Sequence, residues 1–352
     1  MCPGFFLILL YKVSKLFFLK NLFNYNPKRL LVCTEVHKSL ANLYYFPSVG
    51  SHLPNSRLLH HNSSVFIEQP NFIAGFTDGE GCFTLGLSPK KVQPSFQINL
   101  EKCDKAILEQ IQKALGVGYI SRMGTKALKY QVGAIKDLEV IIRYFENNPL
   151  LTHKWSDFQL FKQAVVLILN KEHLTEQGFK KLVAIKASLN TGLSDKLKES
   201  WPDIIPAPRP LLPLKTINDP YWIAGFVNAE GCFSIDIVKS SGNKLGFQIR
   251  LRFRITQHIR DELLMQSFAD NLNCGFIEKY PKGNAVNYCV LKFSDITDKI
   301  IPFFKQYPIV GKKSKYFSGF CEAADLMCKK QHLTASGFER IKQIKEEIFT
   351  NE

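Results

Sequence analysis

The chain has 352 residues, 45% hydrophobic and 12% aromatic, too long for one ordinary core and too apolar for a disordered polymer. It carries 46 Lys and Arg against 31 Asp and Glu, a net charge of +15, which points to a polyanionic partner, either nucleic acid or an anionic membrane surface. Nine cysteines without one C-x-x-C pair support neither a disulfide framework nor a Cys-rich zinc site, and fit reduced, intracellular thiols.

No acid precedes Glu35, while Lys12, Lys15, Lys20, Lys28 and Arg29 are scattered among Phe and Leu. No apolar run reaches the roughly 18 to 20 residues of a spanning helix, so no membrane span is expected. Residues 1–64 read as a basic N-terminal extension: an organelle-import or membrane-surface helix, or a leader without a fold of its own.

A short helix is expected from Pro70, ending near Gly81, and includes the segment FIAGFTDGEGCF at 72–83. A strand with Phe96, Ile98 and Leu100 on one face and Ser95, Gln97 and Asn99 on the other follows. Apolar residues at 107, 108, 111 and 115, closing at Gly116, give a helix. Two shorter strands fall within 118–135, and a further helix starts near 155. Pro202, Pro206, Pro208, Pro210 and Pro213 then crowd into twelve residues, which excludes a helix interior and favours extended backbone.

Beyond this linker the first unit returns. WIAGFVNAEGCF at 222–233 matches 72–83 at eight of twelve positions, with Pro70 and Pro220, Gly75 and Gly225, and Glu80 and Glu230 all 150 residues apart. Asp104 and Asp261 head matching helical stretches 157 apart. HKWSDF (153–158) and KEHLTEQGF (171–179) match KKSKYF (312–317) and KQHLTASGF (330–338) at 159. The growing offset reflects small loop insertions in the second copy. Asp219 is an N-cap candidate ahead of Pro220. In FQIRLRFRIT (247–256), Phe247, Ile249, Leu251, Phe253 and Ile255 alternate with Gln248, Arg250, Arg252, Arg254 and Thr256. The expected fold is therefore α+β, two αββαββα repeats at 65–200 and 217–352 joined by a linker at 201–216.

Ala-Gly pairs at 74–75 and 224–225 let two helices approach more closely than the usual 8–10 Å or so, setting Glu80 beside Glu230. A helix C-terminus carries orphan carbonyls and roughly half a negative charge, so paired acids there call for a cation. Two carboxylates with helix-end carbonyls make an all-oxygen site suited to Mg²⁺. The alternating strand supplies Gln and Arg side chains of the kind that reach base edges and phosphates.

The doubled motif resembles the two signature helices of the LAGLIDADG homing endonucleases, in the branch with both repeats on one chain. The resemblance runs from about residue 66 to the C-terminus. It implies two antiparallel four-stranded sheets forming a DNA-binding saddle, signature helices on the pseudo-twofold axis, and double-strand cleavage across the minor groove. By the family's pattern Glu80 and Glu230 would bind the metals, helped by the carbonyls of Gly79 and Ala229. Lys154 and Lys313 match the family lysine that steadies transition-state charge or orients water, with His153 and Lys312 as neighbouring alternatives. Gln257 matches a polar strand position whose first-repeat counterpart is Leu100, which implies unequal sites. Gln97, Asn99, Gln248, Arg250, Arg252 and Arg254 would contact DNA.

The expectation is thus a monomeric, Mg²⁺-dependent, site-specific DNA endonuclease encoded in an organellar intron, with a mitochondrial location by family analogy. Two rivals stand beside it: a maturase that binds its own intron RNA, and a DNA-binding remnant without cleavage.

Overall fold

The computed structural model describes residues 68–88, 91–213, 216–280 and 283–349; the basic extension assigned to residues 1–64 lies outside the described residues. Helices α1 (Pro70–Glu80) and α7 (Pro220–Glu230) form the seam between the repeats. Each is apolar around most of its circumference, and Phe72 to Asp78 and Trp222 to Asn228 are buried throughout, as befits a helix inside a core. The seam is closed by glycine. A Cβ on Gly75 would lie 2.1 Å from the carbonyl oxygen of Trp222, and one on Gly225 would lie 2.0 Å from that of Phe72. Asp219 caps α7 through the N–H of Tyr221 at 2.8 Å and also accepts from Asn71 Nδ2 across the seam at 2.6 Å.

Gly81 and Gly231 end these helices differently from a left-handed cap. Their φ values are −72° and −76°, and each opens a strand directly. Glycine is needed there for space: a Cβ would meet Thr77 Cγ2 at 2.4 Å or Val227 Cγ1 at 2.5 Å.

In the first repeat, β1 (Gly81–Ser88), β2 (Lys91–Glu101), β3 (Tyr119–Met123) and β4 (Ala127–Val132) form an antiparallel sheet in the order β1-β2-β4-β3, with α2 (Lys105–Leu115) between β2 and β3. Gly116, at φ 70°, closes α2 in the left-handed conformation expected of it. The second repeat repeats the order as β5-β6-β8-β7, from β5 (Gly231–Lys239), β6 (Phe247–His258), β7 (Phe276–Lys279) and β8 (Ala285–Val290), with α8 (Glu262–Leu272) between β6 and β7. Gly81 pairs with Ile98 and Gly231 with Ile255, so the two sheets share one register.

Each repeat holds more helix than the expected αββαββα. After β4 come α3 (Ile135–Asn147), α4 (Lys154–Leu169) and α5 (Glu176–Ser188), then the short α6 (Asp195–Ser200). The apolar face of α3, Leu138, Ile141, Ile142 and Phe145, follows helical spacing and is buried. In the second repeat the α3 equivalent is broken: a turn at Phe293–Asp295 and a π turn at Ile296–Ile300 lead into α9 (Ile301–Gln306). Pro302, which has no N–H to donate, sits in the first turn of α9. Then follow α10 (Lys312–Cys328) and α11 (Ala335–Phe349). The repeated HLT segments cap α5 and α11: Thr175 Oγ1 accepts from Gly178 N at 3.0 Å, and Thr334 Oγ1 from Gly337 N at 3.1 Å.

Below each sheet one phenylalanine organises the core. Phe83 lies 5.2–5.7 Å, centroid to centroid, from Phe96, Phe145, Phe158 and Phe161. Phe233 stands in the same relation to Phe253, Phe304, Phe317 and Phe320 at 5.0–5.6 Å. The proline-rich residues 202–213 form neither helix nor strand, and they are strapped to the first repeat. Ser188 Oγ donates to Ala207 O, Ser156 Oγ donates to Pro210 O, and Arg209 pairs with Asp157 at 2.9 Å. Among the described residues no helix is long and apolar enough to cross a membrane.

Candidate active site

Glu80 and Glu230 close α1 and α7 at the point where the two helices abut. A Cβ on Gly79 would lie 2.2 Å from Ala229 Cβ, 3.2 Å from Glu230 Cγ and 3.4 Å from Glu230 Oε1. The second carboxylate therefore rests against the end of the first helix. Each acid is half-buried, and burial raises the carboxyl pKa of both. Repulsion from Glu230 raises Glu80 further.

The two predicted lysines converge on the same helix ends. Lys154 Nζ donates to Thr77 O at 2.9 Å and Gly79 O at 2.7 Å. Lys313 Nζ donates to Val227 O at 3.1 Å and Ala229 O at 2.9 Å. Burial lowers both ammonium pKa values, and attraction from Glu80 and Glu230 offsets part of that effect. Their neighbours sit elsewhere: His153 meets Asp261 and Lys312 meets Glu101. The carbonyls of Gly79 and Ala229, expected to face a metal, accept from these lysines.

The lysines are aimed by a device that sequence reading missed. Asp78, two residues before Glu80, accepts from Leu151 N at 2.8 Å, Thr152 N at 3.1 Å and Thr152 Oγ1 at 2.5 Å, and from Trp222 Nε1 at 3.0 Å. This draws the segment ahead of α4 onto the signature helix, so that Lys154 folds back over its end. Asn228 does the same in the second repeat, accepting from Val310 N at 2.8 Å. Asp78 is fully buried, and that burial raises its pKa against the lowering effect of its donors. The available signal was the position itself, occupied by Asp in one dodecamer and Asn in the other, both able to accept these bonds.

Among the described residues no three His, Cys, Asp or Glu side chains gather into a metal cluster. Two abutting carboxylates with helix-end carbonyls already holding cations nevertheless fit a hard divalent ion, which keeps water and substrate phosphate among its ligands. Gln257 lies on β6 as expected, where its Oε1 accepts the N–H of His258 at 2.9 Å. One cavity beside the seam is lined by Glu80, Asn99, Asp104, Ala229 and Lys313.

The outward faces of the two sheets differ. On β6, Gln248 and Arg250 are exposed, with Arg252 and Arg254 half-buried. These cations have company: Arg252 pairs with Asp236 at 3.2 Å, and Arg250 donates to Gln248 Oε1 at 2.7 Å. Phe247, assigned to the inward face, is 38% exposed and stacks on Phe338 of α11. On β2, Gln97 Nε2 donates to Ser95 Oγ at 2.7 Å, while Asn99 Oδ1 is buried without a partner.

A family model described as LAGLIDADG endonuclease matches residues 73–165 and 223–324. The chain is 39% identical over 291 residues to the probable intron-encoded endonuclease 3 of Neurospora crassa, covering 80% of this chain and 54% of that relative, so it spans about half the relative's length. Its fold matches the I-SmaMI LAGLIDADG homing endonuclease bound to cleaved DNA at TM-score 0.79 and 38% identity, over 81% of this chain and 98% of the other. I-SmaMI bound to uncleaved DNA in the presence of calcium ions matches at TM-score 0.76 and 40% identity, over 79% and 97%. With abutting acid-tipped helices, two sheets in one register and matches across both repeats, the chain belongs to the LAGLIDADG endonuclease family.

Proposed function

We propose that this protein is a site-specific DNA endonuclease that cuts both strands of a duplex with Mg²⁺ and promotes spread of the intron that encodes it. The observation that carries the reading is the seam itself: two carboxylates at abutting helix ends, with a half-buried lysine bonded to the last carbonyls of each helix. The minor groove is only about 6 Å wide, so groups acting on opposite strands must be held this close. The I-SmaMI complexes with DNA, one of them with calcium ions, support a duplex substrate and a divalent cation.

In this reading Glu80 and Glu230 hold the metal, with the carbonyls of Gly79 and Ala229 beside them. Bound Mg²⁺ would polarise the phosphate and assist formation of the attacking hydroxide. Lys154 and Lys313 supply positive charge where the phosphate gains negative charge. Gln257 orients water on one side only, because Leu100 holds the matching position on the other. Gln97, Asn99, Gln248, Arg250, Arg252 and Arg254 contact the target, and repeats at 65–200 and 217–352 each cover half of it. One chain carries both halves and acts as a monomer, in the mitochondrion.

The test is incubation of the purified chain and Mg²⁺ with a plasmid carrying the intron-free insertion site of its own gene. Linearisation at one position is expected. An intact plasmid under conditions where the chain binds it would leave a DNA-binding protein without cleavage.

A further inference from the structure

Two aspartates outside the signature helices bridge the repeats in opposite directions. Asp104 stands before α2 in the first repeat, and its Oδ1 accepts the backbone N–H of Lys312, at the head of α10 in the second, at 2.6 Å. Asp261 holds the same place in the second repeat and is 3% exposed. Its Oδ1 accepts the backbone N–H of His153, at the head of α4 in the first, at 2.8 Å, and lies 2.8 Å from His153 Nδ1. The clasped residues, His153 and Lys312, immediately precede the two lysines of the site.

The fit is tight. Gly311 takes φ +64°, and a Cβ there would lie 2.3 Å from Asp104 Oδ1. The first N–H groups of a helix have no acceptor within it, and a carboxylate at that end also suits the helix dipole. Here that cap comes from the opposite repeat, so each lysine helix is anchored in trans.

The crossing ties each clasp to one site. Glu80, Asp104 and Lys313 line a single cavity. Lys154 Nζ holds the carbonyl of Gly79 at 2.7 Å, and the Cβ position of that same Gly79 lies 3.4 Å from Glu230 Oε1, which sets Glu230 beside Lys154. We propose that Asp104 and Asp261 are positioning residues that act through the lysine of the opposite repeat: Asp104 governs the strand cut at the Glu80–Lys313 site, and Asp261 the strand cut at the Glu230–Lys154 site. This rests on the nuclease reading above.

The experiment uses the full chain, Mg²⁺ and a supercoiled plasmid bearing the intron-free insertion site, with each strand labelled separately. Misplacing a reacting group by about 1 Å slows chemistry about 10²-fold, so Asp104→Ala should slow one strand by about that factor and the other less than about threefold. Nicked circles accumulate. Asp261→Ala should slow the opposite strand. Asp104→Asn still accepts the Lys312 N–H and should restore most of the rate. Binding to the same site in Ca²⁺ should be unchanged. Adding Asp104→Ala to Lys313→Ala should slow that strand no further, whereas adding it to Lys154→Ala should slow both strands.

Equal losses on both strands, an unchanged strand ratio, or full additivity of Asp104→Ala with Lys313→Ala overturns the inference. Asp104 is only half-buried, so its variants carry the test should Asp261→Ala fail to fold. An unaltered chain that cuts neither strand overturns the nuclease reading instead.

Discussion

Gly75 and Trp222 touch backbone to backbone: the position a Cβ would take on Gly75 lies 2.1 Å from the carbonyl oxygen of Trp222. The atom in the way belongs to a helix and cannot swing aside as a side-chain tip would. Gly75→Ala must therefore push α1 and α7 apart, and it is expected to lower stability by about 1–3 kcal/mol, the usual range for overpacking, or more. Separation of the helix ends also pulls Glu80 from Glu230, so cleavage should fall further than DNA binding does. Thermal melts beside cleavage and binding assays check this; a variant as stable and active as the original would show that the seam can widen freely.

The two glutamates carry opposite consequences for folding and for chemistry. Burial holds their carboxyl pKa values above 4.5 in the folded chain. The folded state thus binds protons more readily than the unfolded chain, and each group's contribution to stability falls as pH rises from about 4.5 through its folded pKa. At neutral pH and without metal, the ionised pair works against the fold. Glu80→Gln removes one charge, and is expected to raise the melting temperature of the metal-free chain while abolishing cleavage of at least one strand. DNA binding should persist. A variant that cuts both strands at the original rate would remove Glu80 from the site.

Much of this arrangement is legible in the residues, for a physical reason. A dodecamer occurring twice with its Gly and Glu in register carries information that neither copy holds alone, and it leads directly to the seam. The alternation in 247–256 is equally readable, because period-two patterning survives folding, and Ile249, Leu251, Phe253 and Ile255 are buried as expected. What resists reading is what depends on partners far apart in the chain. Asp78 meets Leu151 and Thr152 over more than seventy residues, and Asp104 meets Lys312 over 208. An isolated Asp carries no mark of such a bond. The helix α3 is hard to read because it starts only three residues after β4: Gly133 marks the end of the strand, but Ala134 at the N-cap offers no capping side chain to announce a helix.

The pH profile of cleavage follows from the shifts at the seam. Glu80 and Glu230 must be ionised to hold a cation, and their raised pKa values place loss of activity on acidification above pH 4.5. Protons and metal compete for the same oxygens, so raising Mg²⁺ should move this acid limb to lower pH. Lys154 and Lys313 are lowered by burial, so the alkaline limb should fall below pH 10.5. Rates measured across pH at two Mg²⁺ concentrations decide it; an acid limb indifferent to metal would detach the carboxylates from metal binding.

The arginine face of β6 and the amide face of β2 should respond differently to salt. Each phosphate neutralised by a cation adds about 0.9 to the slope of log affinity against log salt. Gln97 and Asn99 carry no charge, and their loss should change sequence preference while leaving that slope alone. Replacing Arg254 with Gln should flatten it by about 0.9 if the guanidinium lies on a phosphate, or leave it unchanged and relax one base position by about 1–3 kcal/mol if it reads a guanine. Arg252→Gln should have a smaller electrostatic effect, because its pairing with Asp236 already satisfies part of its charge. Titrations of each variant at several salt concentrations separate these outcomes. If all of them bound with the original affinity, slope and sequence preference, the second sheet would not be the surface that meets DNA.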